Sequence, residues 1–264
     1  MSYVVMKVGT GSITQAGGGF NLGVMEDIVG QASIMNQQGH QAIIVSSGAV
    51  GAGRGIIPSA WHGEIPEEQG LAGVGQPLLV AAWNMVLAQR KLIGAQILLE
   101  RGHFENTTAL NNLQATLRVY RTNTLFTNVI PIVNENDIMA VDELRFSDND
   151  ELAARLAIFL EAKRLVLLTG VEGVYEDFGT PQQRLVKQVN TTEQKIPNVG
   201  DGASSTGRGG VASKSNWAWH AAEHGVPTHV AAASRAGGIL ELLRGDLHGT
   251  LFHNGEPVEP LLAE

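Results

Sequence analysis

The 264-residue chain contains no cysteine. That excludes disulfide staples, a thiolate nucleophile and a cysteine-built zinc site, and it fits a reducing, cytoplasmic compartment. Basic residues are the minority, with 18 Lys and Arg against 26 Asp and Glu and a net charge of −8. Such a balance offers no field for a nucleic-acid backbone, so small molecules are the expected partners and nucleic acid is not. No basic and then apolar leader precedes Tyr3–Val8. No run approaches the ~18 apolar residues of a membrane span, so a soluble chain without membrane contact is expected. What the sequence does have is apolar content, 44%, and 32 glycines that cluster between apolar runs without a repeat. This is enough for one large core, and it excludes a collagen-like or low-complexity chain.

Short β-rich runs recur at Tyr3–Val8, Gln41–Val45, Ala95–Leu99, Val129–Val133, Arg164–Leu168 and Thr228–Ala232. Helical spacing separates them, as in Val24, Ile28, Ala32 and Met35 after an Asn21 cap, and Leu152, Leu156, Phe159 and Leu160 after Asp150. Runs as apolar as Ala42–Val45 and Leu165–Leu168 suit strands covered on both faces. The expected fold is therefore a three-layer α/β/α sandwich with a mainly parallel central sheet, in one domain of two lobes. The polar stretch Thr191–Thr206 interrupts the pattern and reads as a loop.

Ligands of open α/β sheets sit beyond the carboxyl ends of the strands. Here those ends carry Lys7-Val8-Gly9-Thr10-Gly11-Ser12, Ser46-Ser47-Gly48-Ala49 through Gly53, and Asn134-Glu135-Asn136-Asp137. One such loop is ordinary turn chemistry, whereas several on one edge point to a site. Bare backbone N–H groups at Gly9–Gly11 and Gly48–Gly53 suit an anion, and Gly207–Lys214 adds a third Gly-rich segment opening a helix. That segment is no Walker A loop, because Gly207 is too far from Lys214 and Ser213 replaces the glycine before the lysine. It meets the looser dinucleotide pattern but follows no strand, which argues against NAD. Lys7 and Lys214 can stabilise the two sides of an in-line phosphoryl transfer, and a carboxylate within Asp148-Asn149-Asp150-Glu151 can hold them while the segment also caps a helix. The string His220-Ala221-Ala222-Glu223-His224 matches a zinc-protease pattern but reads better as a helix end stopped by Gly225-Val226-Pro227. A glycosidase pair among Asp137, Asp148 and Asp150 lacks an aromatic sugar platform in a chain only 5% aromatic.

Together these segments resemble the amino-acid kinase family and, within it, the glutamate 5-kinases. The resemblance rests on Lys7–Thr10, Val45–Ala49, Gly73-Val74-Gly75-Gln76, Val133–Asp137, Asp148–Asp150, Gly209-Gly210 with Lys214, and Gly249–His253. It implies transfer of phosphate from Mg-ATP to the side-chain carboxylate of L-glutamate, the first step of proline synthesis. The metal is carried by ATP, with none held by the protein. By the resemblance Lys7 and Lys214 face phosphate, and Asp150 orients them. Ser47, Asp137 and Asn149, with Asn134 and Gly48 beside them, hold glutamate. Gly9, Thr169, Gly170, Arg208, Gly209, Gly210, Val211, Ala212 and Ser213 join the two lysines on the nucleotide side. The lobe of residues 1 to about 160 then belongs to the amino acid, and that of about 161 to 264 to the nucleotide.

Some positions depart from the family. Thr169 is followed by Gly170 rather than Asp, Tyr-x-x-Asp-Pro has become Tyr175-Glu176-Asp177-Phe178-Gly179, and Gly-Thr-Gly-Gly-Met has become Gly207-Arg208-Gly209-Gly210-Val211. Glu68 stands where the family often has Lys. Arg208 is expected to add a guanidinium to a nucleotide phosphate. Many bacterial members continue into a PUA domain, which is not expected here because the sequence stops soon after His253. Members assemble as dimers or tetramers. Two readings stay open beside the first: another amino-acid or small-acid acceptor, and a nucleotide- or amino-acid-binding module without turnover.

Overall fold

A computed structural model describes residues 2–15, 19–57, 65–139, 148–196 and 210–263. The strands are β1 (Ser2–Val8), β2 (His40–Ser46), β3 (Ile93–Leu99), β4 (Val129–Glu135), β5 (Arg164–Thr169), β6 (Tyr175–Glu176), β7 (Arg184–Leu185), β8 (Gln188–Asn190), β9 (Thr228–Ala232) and β10 (Thr250–His253). The helices are α1 (Thr10–Ile13), α2 (Leu22–Gln37), α3 (Ala49–Ile56), α4 (Ile65–Ala88), α5 (Thr107–Thr122), α6 (Asn149–Phe159), α7 (Val211–Glu223) and α8 (Gly238–Leu243). The main sheet runs β3-β4-β2-β1-β5-β9-β10-β8. Its first six strands are parallel, and β10 turns antiparallel to β9 with β8 parallel to β10. All six strands expected from the sequence are present, and the three layers follow.

Strand alternation divides β1 between two cores. Val4, Met6 and Val8 join the core under α2, α4 and α8, whereas Tyr3 and Val5 join the one under α5, α6 and α7. Lys7 has the parity of Tyr3 and Val5, which sends its side chain to the α6 and α7 face. Asn21 caps α2 as expected, its side chain accepting from the Val24 N–H. Asp148 caps α6, within the Asp148–Glu151 segment expected to do so, and Asp150 and Glu151 stand in its first turn. His224 caps the end of α7, its Nδ1 2.8 Å from the His220 carbonyl oxygen, in keeping with a helix end. Of the loop expected at Thr191–Thr206, residues 197–206 lie outside the described residues.

Glycines shape the turn into α3 and the crossing of α3 with α4. Gly48 adopts φ +118°, a left-handed conformation that turns the chain from β2 into α3. Gly53, expected in an anion nest, instead lies inside α3 against α4. A Cβ there would come 2.1 Å from the Leu71 carbonyl oxygen, and one on Gly75 would come 1.8 Å from that of Ala49. The two backbones therefore touch, which only glycine permits. The expectation that no segment reaches membrane-span length also fails at α4: Pro66–Ala88 is long and apolar enough by composition. Half of its apolar window is buried, and it packs on α2, α3 and β3. Polar anchors also tie it inward, with Trp83 Nε1 donating to Ser46 Oγ at 2.9 Å.

Gly75→Ala is expected to lower the unfolding free energy by about 3 kcal/mol, the upper range for overpacking a tight contact. Urea unfolding checks this; an unchanged midpoint would contradict the close crossing.

Candidate active site

The carboxyl ends of β1, β2, β4 and β5 share one edge, and the amino end of α6 crosses above it, packing on all four strands. Asp150, fully buried, receives Lys7 Nζ on Oδ1 at 2.8 Å and Lys214 Nζ on Oδ2 at 3.0 Å. Lys7 comes from β1 and Lys214 from the first turn of α7, and both are buried. The two lysines therefore meet around one carboxylate, as the sequence reading required. Burial opposes ionisation of Asp150, but the Lys7 and Lys214 ammonium groups outweigh it and hold its carboxyl below the usual range. Burial, then the Lys7 charge, lowers the pKa of Lys214 against the pull of Asp150. Two cations over one anion leave an excess of positive charge, the condition for receiving phosphate.

Asp148 supports this arrangement from two residues away. Its Oδ1 accepts the N–H groups of Asp150 and Glu151 at 2.8 and 3.1 Å, and its Oδ2 accepts the Ser213 hydroxyl. One carboxylate thus caps α6 and ties it to the first turn of α7. Burial, then the neighbouring Asp150 charge, raises its pKa. Sequence reasoning assigned Asp148 only a cap, and its second link needs the two helices side by side.

Asn149, the first residue of α6, reaches a different set of partners from Asp150. Its Nδ2 donates to Ser47 Oγ at 2.9 Å and to Asn134 Oδ1 at 2.8 Å. Asn134 Nδ2 in turn donates to Gln76 Oε1 on α4 at 2.7 Å. Three residues expected to hold an amino acid are therefore linked to one another. Gln76 is a member that sequence reasoning missed: the Gly73–Gln76 motif was noticed, but nothing local showed that a helix would bring Gln76 under Asn134. Gly48 follows Ser47 directly. Asp137 lies in the turn just after β4, half-buried.

On the other side, Thr169 ends β5, and its carbonyl accepts the Ala233 N–H at 2.8 Å. Gly9 follows β1, and a Cβ there would lie 3.7 Å from Lys7 Nζ. Gly210 caps α7, with Val211, Ala212, Ser213 and Lys214 in its first turn. Arg208 and Gly209 lie outside the described residues. Gly170 is exposed, and a Cβ there would meet no heavy atom within 4 Å. The altered segment at Tyr175 pairs with Arg184–Leu185 as a small hairpin, β6 and β7. Glu68 on α4 pairs with Arg54 on α3 at 3.4 Å.

Residues 2–232 match the amino acid kinase family. The chain belongs to that family. A glutamate 5-kinase of Streptococcus pneumoniae is 34% identical over 257 residues, covering 94% of this chain and 68% of the relative. One of Trichlorobacter lovleyi is 37% identical over 253 residues, covering 94% and 66%. These relatives are longer than the present chain. Among solved structures, the UMP kinase of Bacillus anthracis superposes with TM-score 0.64 at 15% identity, over 97% of both chains. An isopentenyl phosphate kinase of T. acidophilum reaches 0.66 at 14% identity, over 96% of this chain and 100% of that one. These two likenesses establish the amino-acid kinase fold.

Asp150 is more acidic folded than unfolded, so its contribution to stability is full above the ordinary carboxylate pKa and fades as pH falls through the lowered one. The stability gap between the native chain and Asp150→Asn is therefore expected to be widest near neutrality and to shrink below about pH 4. Urea titrations at several pH values measure it; a gap that grows on acidification would contradict the assignment.

Proposed function

We infer that the protein transfers the γ-phosphoryl group of ATP to the side-chain carboxylate of L-glutamate, giving γ-glutamyl phosphate and ADP for proline synthesis. The observation that carries this reading is the adjacency of two clusters at one helix start. Asp150 gathers Lys7 and Lys214, and Asn149 joins Ser47 to Asn134. Curated relatives named glutamate 5-kinase at 34% and 37% identity point to the same reaction.

In this reading the N-terminal lobe, to about residue 160, takes the amino acid, and the remainder takes the nucleotide. Asp137 receives the glutamate ammonium, while Ser47 and Asn149 hydrogen-bond its polar groups. The acceptor carboxylate is already ionised at neutral pH, so no residue needs to take a proton. A carboxylate oxygen forms the new bond to phosphorus as the bond to the departing ADP oxygen breaks. Lys7 and Lys214 offset the charge spread over the migrating group, and Asp150 fixes where they stand. The glycine at 9, Thr169, Gly170 and the start of α7 from Gly210 face the nucleotide phosphates, joined by Arg208 and Gly209.

Mg²⁺ enters on the nucleotide. Asp150 is committed to two lysines and Asp148 to Ser213 and two backbone N–H groups, and no metal-binding cluster of three His, Asp or Glu occurs among the described residues. These residues do not fit a protein-held metal, and no step here needs one. A cytoplasmic location and assembly as a dimer or tetramer belong to the same reading.

Trapping the acyl phosphate with hydroxylamine tests reaction and acceptor together. Product is expected with glutamate, and not with aspartate or N-acetylglutamate. Lys7→Ala and Lys214→Ala are each expected to lower kcat by about 100-fold or more, as does loss of an oxyanion stabiliser. Normal turnover in either variant would refute the charge-neutralising role. In the same assay Asp137→Ala should chiefly raise the glutamate KM; an unchanged KM would remove it from the glutamate contacts.

A further inference from the structure

The sheet has a second edge that the kinase reading leaves unused. Arg164 opens β5 and Thr169 closes it, which at the usual rise separates the two edges by about 17 Å. Register aligns Val166 with His229, His229 with Leu251, and Leu251 with Gln188, one row across β5, β9, β10 and β8. Arg164, two residues before Val166, shares that face. Leu242 and the turn after α8 cover this floor together with the strap of residues 255–260, lining a half-open cavity of about 350 Å³.

Two polar side chains in the cavity wall are buried and incompletely satisfied. Arg164 is 6% exposed and His229 3%. Arg164 Nη1 donates to the Lys163 carbonyl at 2.6 Å and Nη2 to that of Glu259, but Nε has no partner, and neither has His229 Nε2. Among the described residues no carboxylate pairs with this guanidinium. The acids of the strap, Glu256 and Glu259, are exposed, and Glu259 reaches Arg164 only through its backbone. Burial of an arginine without a counter-anion is costly, and a group of fitting charge would relieve it. Burial, then the Arg164 charge, pushes the His229 pKa down to about 3, so its ring is neutral near pH 7.

We propose that this cavity is a second ligand site, which takes a small carboxylic acid with an apolar body, its carboxylate clasped by Arg164. The planar guanidinium matches a carboxylate, and the neutral His229 ring can donate to the same group. Leu242, Leu251, Val258 and Pro260 supply an apolar wall for the rest of the molecule. A single cation suits one negative charge better than the two of a phosphate. The proposal does not rest on the kinase reading, since none of these residues serves that site.

Isovalerate is the probe, titrated calorimetrically into the unmodified protein, with isovaleramide and inorganic phosphate as comparisons. Isovalerate is expected to saturate, and the amide and phosphate are not. Arg164→Gln should weaken isovalerate binding by at least about tenfold, the cost of losing a charge-assisted contact, while leaving kinase turnover in place. Crystals of the unmodified protein soaked in 3-bromopropionate make the test independent of whether that variant folds: bromine anomalous density is expected in this cavity. Absence of that density, preference for phosphate or the amide, or unchanged binding in a folded Arg164→Gln would overturn the proposal.

Discussion

Two buried lysines lean on one buried carboxylate, and the rest of the site is arranged around that sharing. Breaking a buried ion pair by removing one partner costs about 3–5 kcal/mol, because the survivor keeps its charge without compensation. At Asp150 the survivors would be two ammonium groups of like sign. The sandwich solves a positional problem here: β1 delivers one lysine from the middle of the sheet, α7 delivers the other, and α6 must begin between them. Asp148 fixes that beginning by satisfying two N–H groups of the first turn and binding Ser213 across to α7.

The network of Asn149, Ser47 and Asn134 depends on the same helix start but is braced from the other face. Asn134 stands at the end of β4 and meets Gln76 from α4, while Ser46 of β2 meets Trp83 from that helix. α4 reaches both because it crosses α3 backbone to backbone at Gly53 and Gly75. Glycines that resemble an anion cradle in one dimension thus set the depth at which a polar network is held. Phosphate affinity and helix packing ask for the same residue for the same reason, the absence of a Cβ.

The six parallel strands were legible as short β-rich runs; β1, β2, β4, β5 and β9 are buried along nearly their whole length, whereas the edge strand β3 is only partly covered. β6, β7 and β8, of two or three residues, carry no such signal, and β10 is only four residues long. α4 was hidden because Gly70, Gly73, Gly75 and Pro77 are poor helix formers, and tertiary contact overrides that preference. At the site, Lys7 was legible as a lysine at the carboxyl end of the first β-rich run, and Asp150 as an acid in a segment that caps a helix. Gln76 and the second role of Asp148 were not legible, since both depend on partners brought in by distant elements.

Gly170 adds a last point. It sits at the mouth of β5 with open space where a side chain would go, so nothing in the packing dictates that it be glycine. An acid there would add a negative charge at the carboxyl end of β5 without rebuilding the core. That position is therefore open to change, whereas neither lysine can be replaced without leaving the buried Asp150 carboxylate short of a partner.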